Sequence, residues 1–351
     1  MKNHRLLMVG NRFTSNMDVI ANREYRTFQI ANALRENGID TTILLLNYKT
    51  HEHFMADDEK TFSVSVKMTS VFRKLKQIHS NLKNSPPTHI WITNGPIIGL
   101  LAWILLPETR KRKIIYEVLD NYDTYYPWYL FPLRWFDKYL RKISFLNLYV
   151  SQELEKQDNC NEEKKLLFPN GYNPLIFRPM NMSDCRKELG LPENKILIGY
   201  TGTINDRVEE NLRKLTRIPC RRNTSFVFAS NSPMPQWIKS EKRIIWLGPR
   251  KIEQIPVVIN ACNIMIIPNR KDRFTEFCFP SKLMEYIGCR KPLMTTPVNS
   301  FNGLLKHEFI SSFNMETFYS DIEKLLDSDF AVIPPEQLIW ENLTKTLVSH
   351  F

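Results

Sequence analysis

The amino-acid sequence predicts an α/β protein made of two tandem doubly wound domains. Three observations carry that expectation. Short apolar runs recur along the 351 residues and close on Gly, Asn, Asp, Ser, Thr or Pro. The segments between them keep helical spacing. The runs also fall into two series, parted by a stretch crowded with turn residues. The length suits two domains of ordinary size, each with its own core.

The first series reads RLLMVG (5–10), TTILLLN (41–47), HIWITNG (89–95), KIIYEVLD (113–120) and LNLYVS (146–151). The second reads KILIGYTGT (195–203), TSFVFASN (224–231), RIIWLG (243–248), NIMIIPN (263–269) and KPLMTTP (291–297). Near-continuous apolar strands joined through helices belong to a parallel sheet covered on both faces. A helix is expected over 22–37, where Tyr25, Phe28, Ile30, Ala31 and Leu34 keep close to helical spacing and Gly38 ends the run. Between the series, LLFPNGYNPLIFRP (166–179) holds three prolines and two turn signals, so a linker is expected near 172–185. The domains are then 1–172 and 173–334, with a final segment, 335–351. In such sheets ligands sit beyond the carboxyl ends of the strands, and a cleft between two such domains is the default site.

Composition narrows the class. The chain is 43% hydrophobic and 24% charged, the balance of a globular protein. Its longest apolar run, IIGLLAWILLP (97–107), falls short of the ~20 residues a spanning helix needs. The amino terminus reads as a first strand and not as a leader peptide. Six cysteines, at 160, 185, 220, 262, 278 and 289, lack metal-ligand spacing, which fits reduced thiols in the cytoplasm and no metal site. A net charge of +11 favours acidic partners: anionic lipid, phosphorylated small molecules or nucleic acid. No nucleic-acid-binding motif accompanies that charge, so no specific nucleic acid is expected.

The stretch FCFPSKLMEYIGCRKPLMTTP (277–297) concentrates the chemistry. A helix is expected to begin near Ser281, just behind a proline and a polar loop. Its first amides lack intrahelical partners and carry the positive end of the helix dipole, so they suit an anion such as phosphate. Lys282 places a full positive charge there, at the end of a helix where cations are otherwise disfavoured. Glu285, nearly one turn on, could accept hydrogen bonds from the vicinal hydroxyls of a ribose. The same spacing also suits a plain i, i+3 ion pair. Arg270 and Lys271, in the loop after the 263–269 run, are further cations for a phosphate or ordinary exposed loop charge.

FPSKLMEYIGCRKPLMTT (279–296) resembles the P-x-K-L-x-E-Y signature of bacterial nucleotide-sugar glycosyltransferases of the GT-B fold, near family 4. LLFPNGYNPLIFRP is similar to that family's hinge, and ILIGYTGTIND (196–206) to the first strand and glycine loop of its donor domain. RIIWLGPRKIEQIPVVINACNIMIIPN (243–269) resembles the stretch between, and the four occur in the family's order. The resemblance implies two Rossmann-like domains, an acceptor-binding one first and a donor-binding one second, with a carboxy-terminal helix crossing back. It implies sugar transfer from a nucleotide-sugar, UDP favoured over GDP, to a glycan or lipid-linked acceptor without metal or other cofactor. Glu285 matches the ribose-binding glutamate and Lys282 the lysine on the donor diphosphate. Gly202 and Thr203 match the phosphate loop, and Ser281 opens the helix.

The chain also departs from the pattern. Glu276 stands one position from the family's first glutamate, and Phe277 occupies that place. An inactive glycosyltransferase-like subunit and a GT-B nucleotide-sugar epimerase therefore stay as alternatives. In the first domain, Asp120 follows a strand and would be the general base of an inverting enzyme, whereas a retaining one needs none. It could equally cap a helix. Asp123 and Glu117 are weaker candidates, and Glu117, inside the strand, could instead form a buried pair.

Over YYPWYLFPLRWFDKYLRK (125–142), Arg134, Lys138, Arg141 and Lys142 fall on one helical face beside aromatic residues. That is the makeup of a segment that touches anionic lipid, or of an amphipathic helix with a solvated face. TRKRK (109–113) adds four consecutive basic residues. On the lipid reading, the protein sits peripherally at the inner face of the membrane, where a lipid-linked acceptor would be presented.

Overall fold

The computed structural model describes residues 4–14, 17–21, 25–55, 60–67, 71–84, 86–125, 128–219, 223–296, 310–312, 314–328 and 331–351. Cys220, Pro297, Tyr126, Pro127 and the first residues of the helix expected over 22–37 lie outside the described residues. The chain forms two compact units, Met1–Pro169 with Trp340–Phe351, and Asn170–Ile339.

In the first unit the strands are β1 (Arg5–Asn11), β2 (Phe13–Thr14), β3 (Met17–Asp18), β4 (Asp40–Asn47), β5 (Phe54–Met55), β6 (Thr61–Ser65), β7 (His89–Ile92), β8 (Lys113–Val118), β9 (Leu146–Tyr149) and β10 (Lys165–Leu167). Eight of them make one sheet in the order β10-β9-β8-β7-β1-β4-β6-β5, while β2 and β3 form a separate ribbon. All neighbours in the large sheet are parallel except the edge strand β5, which runs antiparallel to β6. The central strands are sealed on both faces: Leu6–Val9 and Ile43–Leu46 are almost wholly buried, as continuous apolar runs require.

β6 escapes hydropathy because Thr61, Ser63 and Ser65 alternate with its apolar positions, although the whole strand is buried. Ser65 Oγ satisfies itself by donating to Thr50 O at 2.7 Å. Glu117, inside β8 and 1% exposed, forms the buried pair: its Oε1 lies 2.8 Å from Arg26 Nη2, and Thr93 donates to its other oxygen. Arg26 also donates to Phe168 O and Pro169 O at 3.0 and 2.9 Å. The helix Arg26–Glu36 is clasped by the terminal helix Trp340–Val348, with Asn37 Nδ2 donating to Thr344 Oγ1 at 2.9 Å.

The second unit holds β11 (Ile196–Thr201), β12 (Thr224–Ala229), β13 (Ile244–Gly248), β14 (Ile264–Ile267), β15 (Leu293–Thr295) and β16 (Ile310–Ser312). The order β13-β12-β11-β14-β15-β16 is parallel throughout. Its core gathers Ile198, Tyr200, Phe226, Phe228, Ile264 and Met294. The strand order reverses at β11, whose neighbours are β12 on one side and β14 on the other. In open parallel sheets such a reversal is where loops diverge to opposite faces and where ligands bind beyond the strand ends.

Candidate functional site

The candidate site is built at that reversal. β11 ends at Thr201, and Gly202 follows with φ of +122°, a backbone setting that side-chain-bearing residues rarely adopt. The helix Ser281–Gly288 faces it. Pro280 opens that helix in an extended conformation and supplies no side-chain cap. Leu283 N turns back to Pro280 O at 3.1 Å, while the amides of Ser281 and Lys282 belong to the unpaired first turn. The apolar side of the helix, with Leu283, Met284, Tyr286 and Ile287, is buried. Tyr286 Oη locks the helix to the strand end by accepting from Thr201 N at 3.1 Å.

Lys282 lies across Gly202. A Cβ built at position 202 would run into Lys282 Cε and Nζ. Nζ donates to Tyr200 Oη at 3.0 Å and stands 4.6 Å from the centre of that ring. Tyr200 Oη in turn donates to Thr203 O at 2.8 Å. One phenol thus fixes the lysine head and the loop after Gly202 together. The Thr203 side chain is exposed.

Glu285 follows Lys282 on the same helical side. It keeps part of its surface open, yet its carboxyl is surrounded by protein, and desolvation pushes its pKa up to about 7. The charge of Lys282 and a hydrogen bond from Ser281 pull the other way without overcoming burial. A carboxyl poised there can be ionised cheaply by hydroxyl donors that replace lost water.

The loop after β14 is held by its neighbours. Asn211 Nδ2, from the helix Glu209–Arg217, donates to Pro268 O and Asn269 O at 3.1 and 3.2 Å. Arg270 N donates to Arg207 O. The Arg270 guanidinium is exposed and pairs with Asp272 at 3.1 Å, so part of its charge is compensated locally. Glu276 sits in the short turn Thr275–Phe277 and pairs with Lys271 at 3.3 Å.

The structure thus brings together Gly202, Thr203, Ser281, Lys282 and Glu285, whereas Arg270 and Glu276 are engaged by neighbours within their own loop. Sequence reasoning passed over Tyr200, Tyr286 and Asn211. The readable signal was a tyrosine at the last-but-one position of a buried strand, where a hydroxyl must find a partner.

In the first unit, Asp120 is half-buried, two residues past β8. Tyr25 is raised above the usual phenol range by burial first and also by the negative charges of Glu117 and Asp120. Arg141 departs from the exposed basic face read from the sequence. It turns inward to Asp137 at 2.5 Å and Asp158 at 3.1 Å, because those buried carboxylates need a cation. Arg134 is half-buried, while Lys138 and Lys142 are exposed.

Residues 195–328 match the family model described as Glycosyl transferases group 1. The whole chain is similar in fold to sucrose-phosphate synthase from Thermosynechococcus elongatus, with a TM-score of 0.72 and 13% identity over 99% of this chain and 98% of the other. It is similar also to HepE of Anabaena, solved in complex with UDP-glucose, with a TM-score of 0.70 and 14% identity over 98% and 99%. The fold is therefore GT-B, and the second unit carries the group 1 sequence pattern. Among curated proteins, the chain is 23% identical over 186 residues to TuaH of Bacillus subtilis (strain 168), a protein assigned to teichuronic acid biosynthesis as a glycosyltransferase. That match takes in 51% of this chain and spans 46% of TuaH, about half its length.

Proposed function

We propose that this protein is a glycosyltransferase that moves a sugar from a nucleotide-sugar, UDP favoured over GDP, to a glycan or lipid-linked acceptor. The observation that carries the proposal is Lys282 laid across Gly202 at the reversal of the second sheet, with Glu285 one turn on. The donor diphosphate would lie over the first amides of the helix Ser281–Gly288 and against Lys282 Nζ, and the ribose hydroxyls against Glu285. As the bond between sugar and phosphate breaks, negative charge grows on the departing diphosphate. Fixed donors and a lysine already in place stabilise that charge with little reorganisation. These groups supply the cationic help, and Arg270 could add to it by exchanging Asp272 for phosphate. We therefore propose transfer without a metal ion.

Asp120 is the candidate base if the reaction inverts configuration. The acceptor would be offered at a membrane surface if it is lipid-linked.

A titration of UDP, GDP and ADP on the wild type, Lys282→Ala and Glu285→Ala tests the donor site. Selective binding of one nucleotide, weakened at least tenfold in both variants, supports it. A folded wild type that binds none of them overturns it. A second reading, a binding subunit without turnover, draws on Phe277 at the family's first glutamate position and on the pairing of Glu276 with Lys271. Release of nucleoside diphosphate from a bound nucleotide-sugar, in the presence of acceptor, separates the two, and its insensitivity to EDTA tests the metal.

A further inference from the structure

Twelve large apolar side chains are exposed among the described residues, and six of them come from one stretch: Ile97, Ile104, Tyr129, Phe131, Trp135 and Tyr139. Scattered exposed apolar residues are ordinary; contiguous ones are not. Five of these belong to two helices in contact, Pro96–Leu105 and Phe131–Ile143, and Tyr129 lies in the short turn Trp128–Leu130 that leads into the second. Gly99 admits Leu140 so closely that a Cβ there would collide with it. Across that seam Trp103 meets Tyr139 edge-on at 5.7 Å, while within the second helix Phe131 meets Trp135 edge-on at 5.8 Å. Ile97 and Ile104, seven residues apart, share one face of the first helix; Phe131, Trp135, Lys138 and Lys142 share one face of the second. Trp135 is 71% exposed, Ile104 59% and Phe131 52%, so large apolar side chains of both helices point away from the core.

The exposed charges carried by these two helices and by the 107–113 turn have one sign, with Asp123 the exposed acid just before the second helix. Lys138 and Lys142 continue the aromatic stripe, and Arg110, Lys111, Arg112 and Lys113 are exposed beyond the first helix. Arg110 lies over the Trp103 ring at 5.7 Å. The acidic residues of these elements are turned inward: Asp137 is 4% exposed and bound to Arg141, and Glu108 is 9% exposed and bound to His79.

We propose that this face of the first unit docks on a bilayer containing anionic lipid. Trp135, Phe131 and Ile104 would enter the headgroup region, and Lys138, Lys142 and the 110–113 run would meet lipid phosphates. Aromatic rings suit the interface between water and hydrocarbon, and lysines and arginines near an anionic surface strengthen the attachment additively. Stacking this face on a second copy would set like charges against each other, which disfavours self-association as its purpose. The proposal deepens the lipid-linked-acceptor reading, but it is tested without donor or turnover, so either can fail alone.

The 351-residue chain is floated with phosphatidylcholine vesicles, with and without phosphatidylglycerol. The expected result is capture by the anionic vesicles only, weakened at least tenfold both in Phe131→Ser/Trp135→Ser and in Lys138→Glu/Lys142→Glu, with thermal stability and nucleotide binding unchanged. Capture that is equal in the wild type and the aromatic variant overturns the proposal. So does a wild type that ignores both vesicles, whether it stays monomeric or forms a dimer, by light scattering, that the aromatic variant breaks.

Discussion

Gly202 and Lys282 fill each other's space: the lysine stem crosses the one position in the loop after β11 that has no side chain, and its Nζ continues to Tyr200 Oη at 3.0 Å. The glycine is needed twice there, for its φ of +122° and for the room it leaves. Gly202→Ala must therefore strain the backbone and displace the lysine together. A stability loss of about 1–3 kcal/mol is expected in urea denaturation, and nucleotide affinity should fall at least tenfold in the same sample.

Tyr200→Phe keeps the ring but removes the hydroxyl shared by Lys282 and Thr203. Stability should fall by about 1 kcal/mol, the worth of one partly buried hydrogen bond. The lysine head then loses its anchor, and nucleotide binding should weaken severalfold by calorimetry. Unchanged binding would show that Tyr200 does not position Lys282.

Glu285 gives two opposed pH effects. Its folded pKa is raised to about 7 by burial, above the unfolded value near 4.5. Between those values the unfolded chain releases the proton and the folded chain keeps it. The carboxyl therefore costs nothing below about pH 4.5, and stability falls as pH rises towards 7. Glu285→Gln should remove that decline and be more stable than the wild type at pH 8 by on the order of 1–3 kcal/mol, read as a shift in thermal midpoint. A ribose is bound best by the ionised carboxylate, so wild-type nucleotide affinity should rise from pH 6 to pH 8 and that of Glu285→Gln should stay flat.

Arg26 is the only cation within bonding reach of the buried Glu117 among the described residues. Arg26→Met leaves that carboxylate uncompensated, and a loss of about 3–5 kcal/mol is expected. The double variant Arg26→Met/Glu117→Gln should recover much of it. Chemical denaturation of the four proteins as a double-mutant cycle measures the coupling.

Much of the fold was legible because its strands are apolar on both faces. Every run picked out by hydropathy contains a strand, from β1 through β4, β7, β8 and β9 to β11–β15. Thr61–Ser65 was not legible, since hydroxyl-bearing residues alternate with its apolar ones although the whole strand is buried, and Ser65 finds its partner fifteen residues back at Thr50. The short strands Lys165–Leu167 and Ile310–Ser312 carry too few residues for any pattern to show.

By itself the sequence determined the two series of strands, the helix opening at Ser281 and the lysine and glutamate on its first turns, because period, capping and i, i+3 spacing are local properties. Only tertiary structure decided how those charges are paired and buried. It set Tyr200 beneath Lys282, turned Arg141 inward to Asp137 and Asp158, and paired Glu276 with Lys271. It also desolvated Glu285 until its proton is held to about pH 7. The reason is physical: local pattern depends on neighbours along the chain, whereas burial and charge pairing depend on what the fold brings through space.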